Sequence, residues 1–352
     1  MTKKIFKIIG FVFLAIVILA GALLAWLSIA EYKPADVEDA QTSFISGSAP
    51  ISADKDITVL TWNIGYSGLG AGSDFFMDGG ENVKSADKDT VNKYLTGISK
   101  TIKDSGADVC MLQEVDENSS RSYNINEKNI LSEGLNNAYA LNYSCPFVPY
   151  PLPPIGKVNS GLLTTTDYAV DSAQRITLPC PFSWPMRTAN LKRCLLASYL
   201  PVENSDKYLV IVNLHLEAYD DGEGKIAQTN ALKEFIADEY AKGNYVIAGG
   251  DFNQEFPGCI QQYPIKDTEL WAPGSLEESM IPEGWSFAYD KVTPSCRLLN
   301  QPYEPDDDDT QYYIIDGFIL SPNVKMQSVE TLGEDFANSD HNPVRLTVAL
   351  NG

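Results

Sequence analysis

The two histidines of the chain both stand where an apolar run of strand type meets acids and amides. His215 follows the run from Leu209 to Leu214, and His341 stands in a Ser-Asp-His-Asn-Pro sequence just before the last apolar run. Imidazole is the one side chain that changes charge near neutral pH without help from its surroundings. Both histidines therefore suit proton transfer or contact with an anion, and we interpret them as catalytic candidates.

Several other apolar runs also end in a carboxylate or an amide. The residues at these ends are Asn63, Glu114, Asp251 with Asn253, Asp316, and Asp340 beside the second histidine. Asp and Asn often do no more than end a strand, so each run alone carries little information. Strand ends gathered at one edge of a sheet form a cleft, and carboxylates there offer the hard oxygen ligands that Mg²⁺ prefers. The joint occurrence predicts one active site with a metal ion.

The spacing of Asp251 and Asn253 adds a geometric expectation. Two residues apart on extended chain, they face the same side of a strand. Both side chains could then contact one water molecule that attacks a phosphate.

Taken together, the motifs resemble the endonuclease/exonuclease/phosphatase superfamily, which includes DNase I-like nucleases, apurinic endonucleases, inositol polyphosphate phosphatases and neutral sphingomyelinases. The similarity extends over the residues from 58 to 350. It rests on the sequences Thr-Trp-Asn-Ile at 61–64, Leu-Gln-Glu-Val at 112–115, Asn-Leu-His-Leu at 213–216, Gly-Asp-Phe-Asn at 250–253, Ile-Asp-Gly-Phe at 315–318 and Ser-Asp-His-Asn-Pro at 339–343.

The resemblance implies a role for each of these residues. Glu114, Asn63 and Asp340 would bind Mg²⁺, with Mn²⁺ or Ca²⁺ as alternatives. Asp251 would position or deprotonate the attacking water, and Asn253 would hold a phosphoryl oxygen. His341 would transfer a proton or donate to the phosphoryl oxygens, with Asp316 orienting its ring, and His215 would face the scissile phosphate. The expected chemistry is in-line attack of water on a phosphoester.

Substrate contacts are predicted from three further features. A glycine-rich insert follows Asn63 and contains Tyr66, and it is placed to overhang the cleft. Arg121 and Arg193 are candidates for binding a phosphate or a headgroup, although arginines are more often ordinary surface residues. The aromatic and proline-rich stretch 145–154 could form an apolar lip that faces a lipid or a base.

The elements that must position these residues are strand-like runs with a few helices between them. Helical periodicity is present at 89–103 and 226–240. Several strands follow each other without a helix, which favours a largely antiparallel α/β arrangement over a Rossmann-type one. With the resemblance, the fold class is a four-layer DNase I-like α/β sandwich, two mostly antiparallel sheets flanked by helices, preceded by one transmembrane helix.

The first 30 residues predict a membrane anchor, or a cleaved signal that would leave the protein secreted. Residues 8–30 are almost entirely apolar and exceed the roughly 20 residues that span a bilayer. Lys3, Lys4 and Lys7 precede this run, which predicts a cytoplasmic N-terminus and an extracytoplasmic globular part. Residues 31–55 read as a flexible tether and 56–352 as one catalytic domain.

Charge bears on the partners of the protein. The formal net charge is −21, and it becomes −24 when the three N-terminal lysines are left out. Such a surface repels polyanions, so nucleic acid is a disfavoured partner. A lipid headgroup or a small phosphodiester is the favoured substrate, DNA or RNA cleavage is the alternative, and a surface binding module that retains the fold is the non-enzymatic alternative. No obligate protein partner is inferred.

Overall fold

The computed structural model describes residues 2–220, 222–305 and 307–351, with side chains from Lys4 onward. The side chain of Lys3 and the last residue of the predicted domain, Gly352, lie outside the described residues. Four α-helices occur in the described part of the chain: α1 Thr2–Ile29, α2 Lys88–Asp104, α3 Glu127–Leu131 and α4 Glu223–Ala241.

Helix α1 is the one described helix that is long and apolar enough to cross a membrane. Its apolar side chains from Ile5 to Leu19 are exposed. A signal sequence has the same properties, so length and composition indicate an anchor or a signal.

The strands of the described residues fall between and after the helices. In chain order they are β1 Val37–Asp39, β2 Gln41–Ser43, β3 Ile57–Asn63, β4 Val109–Asp116, β5 Asn136–Val148, β6 Gly156–Thr166, β7 Ser172–Thr177, β8 Cys194–Pro201, β9 Tyr208–His215, β10 Tyr245–Asp251, β11 Gln254–Glu255, β12 Gly274–Ser275, β13 Ser286–Ala288, β14 Cys296–Arg297, β15 Tyr312–Tyr313, β16 Asp316–Leu320, β17 Val324–Thr331 and β18 Val344–Leu350.

Two seven-stranded sheets form the body of the molecule. The first has the order β17-β18-β3-β4-β6-β5-β2, and the second has the order β1-β7-β8-β9-β10-β16-β13. Neighbours within them are antiparallel except for β3 with β4 and β9 with β10. These two parallel pairs lie in the middle of their sheets, so the carboxyl ends of four strands open toward one edge.

The two sheets pack face to face, and helices cover their outer faces. Val59 and Leu346 of the first sheet share one buried core with Ile211 and Ile247 of the second. On the outer side of the first sheet, Leu95 and Ile98 of α2 pack on Leu60 and Trp62. On the outer side of the second, Leu232 and Ile236 of α4 pack on Val210 and Val246. The predicted four-layer α/β sandwich is confirmed.

The segment 31–55 differs from the flexible tether predicted for it. Strand β1 pairs with β7 at the edge of the second sheet, and β2 pairs with β5 at the edge of the first. Ile51 is buried and bridges to Val202. The sequence does not indicate β1 and β2, because each strand has only three residues and a largely exposed burial pattern, which gives no apolar periodicity.

Other elements deviate less from expectation. The stretch 312–320 forms two separate strands, β15 and β16, which belong to different sheets. The 13 residues of strand β5 mix Asn, Ala, Tyr and Ser, and their buried and exposed positions do not alternate cleanly, so the sequence carries no clear strand signal there. The six cysteines all lie within the described residues and are unpaired, including Cys180 and Cys194.

Candidate active site

The polar strand ends meet at one end of the interface between the sheets. In the first sheet, Asn63 is the register partner of Gln113, one residue before Glu114. In the second, Asp251 is paired with His215 on one side and with Asp316 on the other. Gln113 Nε2 donates to Asn213 Oδ1 at 2.8 Å, a buried hydrogen bond that joins the two sheets directly behind the site.

The segment that carries Asp340 and His341 is held against strand β3 by hydrogen bonds from side chains to backbone carbonyls. Ser339 Oγ donates to the carbonyl of Asn63 at 2.8 Å, and Trp62 Nε1 donates to the carbonyl of His341 at 2.8 Å. These bonds bring a loop from the C-terminal part of the chain beside the first catalytic strand. The order of the residues in the sequence does not reveal this proximity.

The predicted metal ligands Asn63, Glu114 and Asp340 line one cavity. Asn63 Nδ2 lies 3.4 Å from Glu114 Oε1 and 3.0 Å from Asp251 Oδ2. Burial raises the pKa of Asp340 to about 7, opposed by His341 and reinforced by the negative charge of Glu114. One neutral amide and two carboxylates whose like charges repel each other are the donor set that a hard divalent cation would bind.

A second arrangement of potential ligands lies beside the first. Asp251, Asp316 and His341 are buried and have ligand atoms within 4.8 Å of one another. However, His341 Nδ1 and Asp316 Oδ2 are 2.8 Å apart and already form a hydrogen-bonded pair. Since a metal ion on Nδ1 would have to displace that bond, this group fits a hydrogen-bonded carboxylate–imidazole pair beside the candidate metal ligands better than a second metal site.

The two histidines have opposite electrostatic environments. Burial alone would lower the pKa of His341, but the carboxylate of Asp316 and then Cys296 and Asp251 raise it well above its ordinary value. For His215, burial lowers the pKa well below the ordinary value, and the charge of Arg193 acts in the same direction. The surroundings of His341 therefore favour its cationic form, and those of His215 favour its neutral form.

Asp251 lies between the two rings. Its Oδ2 is 3.4 Å from His215 Nε2 and 3.8 Å from His341 Nε2. Burial raises the pKa of Asp251 to about 6, an effect that His341 opposes. A carboxylate with this value is a usable base near neutral pH.

Asn253 reaches the cavity by a different geometry from the one that was predicted. Strand β10 ends at Asp251, and Asn253 has a φ of +50°, so the two residues do not lie on extended chain. The turn lets the Asn253 backbone N–H donate to Asp251 Oδ1 at 2.8 Å, while Asn253 Nδ2 donates to the carbonyl of Leu216 at 2.9 Å. Both side chains still line the cavity, because the turn replaces the alternation of the strand.

The three predicted substrate contacts, Tyr66, Arg121 and Arg193, line the cavity and are engaged with protein partners. Arg121 binds Asp116 through two hydrogen bonds of 3.1 and 3.0 Å, and its guanidinium lies 3.7 Å from the centre of the Tyr66 ring. Arg193 Nε is 3.7 Å from Glu217 Oε2. Each arginine therefore faces the cavity with an acid already paired to it.

Two cavity residues, Asp78 and Arg297, were not among the site residues predicted from the sequence. Asp78 is buried in the glycine-rich insert and accepts a hydrogen bond from the Tyr219 hydroxyl at 2.9 Å. Arg297 is buried and holds that insert in place by donating to the carbonyls of Gly70 and Ser73 at 3.1 and 3.0 Å. Neither residue belongs to a recognisable motif, and only the folded loop brings them to the site.

The cavity has a volume of about 610 Å³ and is far larger than a phosphate group requires. Its inner end holds the acids, amides and histidines described above. Its outer part is lined by apolar side chains of the glycine-rich insert, of the segments 148–155 and 182–191, and of helix α1.

Comparisons with known proteins agree with this arrangement. The profile of the Endonuclease/Exonuclease/phosphatase family matches residues 60–298. The catalytic domain of human Nocturnin, solved with a bound sulfate anion, is similar with a TM-score of 0.53 at 18% identity, covering 88% of this chain and 98% of that domain. An endonuclease/exonuclease/phosphatase from Beutenbergia cavernae has a TM-score of 0.53 at 15% identity, covering 85% of this chain and 72% of that one.

A protein with the same description from Bacteroides vulgatus has a TM-score of 0.52 at 16% identity, covering 84% of this chain and 99% of that one. At these identities the structural likeness shows the fold. No curated protein sequence matches the chain significantly.

Proposed function

The chain belongs to the Endonuclease/Exonuclease/phosphatase family, whose members are phosphoester hydrolases that generally depend on a metal ion, and from this premise we propose that it is a Mg²⁺-dependent phosphodiesterase. The observation that carries the proposal is the position of Asn63, Glu114 and Asp340 beside Asp251 and the His341–Asp316 pair in one cavity. Metal ligands, a base and a cationic hydrogen-bond donor are the components that hydrolysis of a phosphate ester requires.

The metal ion, when bound, would neutralise charge that develops on the phosphoryl oxygens. Asn63, Glu114 and Asp340 would hold it. Mg²⁺ is proposed over Zn²⁺ because the ligands are oxygens and because Mg²⁺ takes few protein carboxylates. Mn²⁺ and Ca²⁺ are the alternatives with the same ligand preference.

The chain's own residues would handle the protons. Asp251 takes a proton from the attacking water as the water oxygen bonds to phosphorus and the bond to the leaving ester oxygen breaks. The departing oxygen takes a proton from solvent. His341, held as a cation by Asp316, donates from Nε2 to a phosphoryl oxygen, and neutral His215 orients Asp251 from the other side.

The proposed location is the extracytoplasmic face of a membrane, with α1 as the anchor and the N-terminus in the cytoplasm. Support comes from the exposed apolar side chains of α1 and from the lysines that precede them. If α1 were cleaved as a signal, the protein would be secreted.

A substrate other than nucleic acid is favoured. The formal charge of −21 opposes the approach of a polyanion, and the apolar outer cavity offers few groups to bind phosphates. A lipid headgroup or a small phosphodiester fits better. Cleavage of DNA or RNA is the alternative, and a binding module without turnover is the non-enzymatic one.

The test is hydrolysis of an aryl phosphodiester by the full chain. We expect turnover with Mg²⁺, loss of turnover with a chelator and recovery when Mg²⁺ is restored. An aryl phosphomonoester measured in parallel distinguishes a diesterase from a phosphatase. The absence of turnover with Mg²⁺, Mn²⁺ and Ca²⁺ alike would refute the enzyme and favour the binding module.

A further inference from the structure

The apolar outer half of the cavity has no role in the hydrolysis itself. Phe76, Val148, Tyr150, Ile155 and Met186 line it, and they come from three separate segments of the chain. A phosphate ester with only polar substituents would leave these side chains in contact with water. The cavity therefore fits a substrate that carries a long apolar group as well as a phosphodiester.

Helix α1 forms one wall of this outer half. Leu24 and Leu27 line the cavity, and buried Leu27 packs on Cys145, Val148 and Val158 of the catalytic domain. Counted from Ile8, the first residue after Lys7, the roughly 20 residues that cross the hydrocarbon core of a bilayer end at Leu27. The outer half of the cavity thus lies where an inserted α1 would leave the membrane.

The junction between α1 and the domain is fixed by polar contacts as well. The buried carboxylate of Glu31 lies 3.3 Å from Arg187 Nε and 3.5 Å from Lys192 Nζ. Trp184 Nε1 donates to Ser28 Oγ at 3.1 Å. These contacts attach the segment around 184–192, which carries part of the cavity wall, directly to the end of the helix.

Exposed apolar side chains are grouped on the same side of the molecule. Tyr150 is 70% exposed, Leu152 85%, Trp184 56% and Met186 65%. Trp and Tyr are enriched where proteins meet the headgroup region of a bilayer. A cluster of this kind beside a membrane helix indicates contact with lipid rather than with water.

We propose that the outer half of the cavity binds the hydrocarbon chain of a membrane phospholipid, and that segments 148–155 and 182–186 dock on the bilayer that holds α1. The substrate class is then an amphipathic phosphodiester taken from the membrane, with its phosphate at Asp251 and its chain against Tyr150 and Met186. This inference rests on the proposed function for the chemical step. Water adds to phosphorus as Asp251 takes its proton, one P–O ester bond breaks, and the departing oxygen takes a proton from solvent.

The first experiment measures how the rate depends on chain length. The full chain in detergent is assayed with methyl, octyl and hexadecyl p-nitrophenyl phosphodiesters, which share the reacting bond and the chromophore. Each methylene that enters an apolar site contributes about 0.8 kcal/mol, so two buried methylenes correspond to roughly a 10-fold gain. We expect kcat/KM to rise by at least about 10-fold from methyl to hexadecyl, and a flat series would overturn the proposal.

A double variant tests whether the named wall is responsible. In Tyr150→Ser/Met186→Ser, the ratio of hexadecyl to methyl kcat/KM should fall toward one. Both side chains are exposed, so the fold should tolerate the change. The matched control is Ile260→Ser/Val292→Ser, which removes two apolar side chains that are 44% and 66% exposed outside the cavity lining and should keep the parent ratio. An unchanged ratio in the first variant would also overturn the proposal.

A second measurement does not depend on turnover. The full chain is reconstituted in phosphatidylcholine vesicles with and without brominated acyl chains, and tryptophan fluorescence is compared between the parent and Trp184→Phe. We expect brominated lipid to quench a component that the variant lacks. If no diester is hydrolysed but this component is present, the proposed function fails and the docking stands; if diesters are hydrolysed and the component is absent, the docking fails alone.

Discussion

At the scale of single residues, Glu114 holds its position through an unusual backbone. Strand β4 has one more residue than β6 between the pairs Leu112–Leu163 and Val115–Gly161, which is a β-bulge. Glu114 lies in this bulge with a φ of +55°. Left-handed backbone costs a non-glycine residue on the order of 1 kcal/mol or more, and such strain is concentrated at functional sites. The bulge turns the carboxylate toward Asn63 and the cavity.

Replacing Glu114 with Gln should abolish most activity while the protein stays folded. The amide keeps the shape of the side chain but removes the charge that the metal ion needs, so partial recovery at high Mg²⁺ is expected. Rates of the aryl phosphodiester assay are compared with those of Glu117→Gln, whose carboxylate pairs with Lys128 at 3.4 Å and does not line the cavity. Parent-like activity in Glu114→Gln would show that the metal site is wrongly assigned.

The histidines give the second prediction at this scale. His215→Ala and His341→Ala should each lower the rate by roughly 100-fold or more, the usual effect of losing a proton-transfer or phosphate-stabilising group. The fold should persist because the backbone of residue 341 keeps its hydrogen bonds to Trp62 and Ser339. His341→Ala should nevertheless lower the stability, since buried Asp316 loses its partner. Circular dichroism checks the fold. If the folded variants react at rates within a few-fold of the parent, the protein shares the fold of the family but not a catalytic role for these histidines.

At the scale of elements, a buried acid in a short strand predicts how stability depends on pH. Glu255 of β11 is buried, its Oε1 has no hydrogen-bond partner, and burial raises its pKa to about 7 from an ordinary value of 4.5. The folded state therefore favours the protonated form. Its contribution to stability is present below pH 4.5 and is lost as the pH rises toward 7 and the carboxylate must ionise in a buried site.

Glu255→Gln should remove this pH dependence because its amide is neutral at every pH. We expect the melting temperature of the variant to exceed that of the parent at pH 8 and to approach it at pH 4.5, a difference measured by thermal unfolding at both values. Glu277→Gln, at an exposed position, is the control. A constant offset at both pH values would mean that folding does not raise the pKa of Glu255.

The two edge strands of the segment 31–55 give another prediction at this scale. A chain that starts at residue 31 keeps β1, β2 and buried Ile51, whereas a chain that starts at residue 56 loses them and leaves β5 and β7 as open edges. Unpaired edges favour aggregation. We expect the shorter chain to melt several degrees lower than the longer one and to aggregate, as measured by differential scanning fluorimetry and light scattering. If the two chains have the same melting temperature and the same tendency to aggregate, the segment 31–55 acts as a tether.

At the scale of the whole molecule, charge and shape act together on the choice of substrate. The net charge is −21, and the active-site cavity continues into apolar surface beside α1. Phosphate contacts by a protein of this charge must overcome a repulsive field, so binding of DNA should be weak and strongly dependent on salt. Apolar contacts are insensitive to that field.

Cleavage of duplex DNA by the protein should therefore be slight at about 150 mM salt. The few phosphate contacts that isolated bases can make weaken steeply as salt increases, because DNA counterions are released at each contact. Hydrolysis of the hexadecyl diester should change little over the same range. Both are measured with Mg²⁺ at fixed concentration. Efficient DNA cleavage at about 150 mM salt would favour the nuclease alternative.

The sequence alone identified the polar strand ends that the fold gathers in one cavity, and it predicted what kind of fold holds them. Apolar runs of strand type ended in Asn63, Glu114, His215 and Asp251, and such patterns depend only on local chain geometry. The fold class followed from the succession of strands and from the family resemblance. The helices α2 and α4 were located to within a few residues, because a buried stripe on a long helix repeats every three to four residues.

Only the tertiary structure decided the features that depend on residues far apart in the chain. The bulge at Glu114, the turn that brings Asn253 to the cavity and the edge strands within 31–55 arise from pairing between segments, which local periodicity does not encode. The pKa values of His341 and His215 move in opposite directions because one ring meets Asp316 and the other lies near Arg193 in a buried place. The packing of Leu24 and Leu27 of α1 beside the catalytic cavity likewise follows from folding, since it joins the first 30 residues to a site built from the rest of the chain.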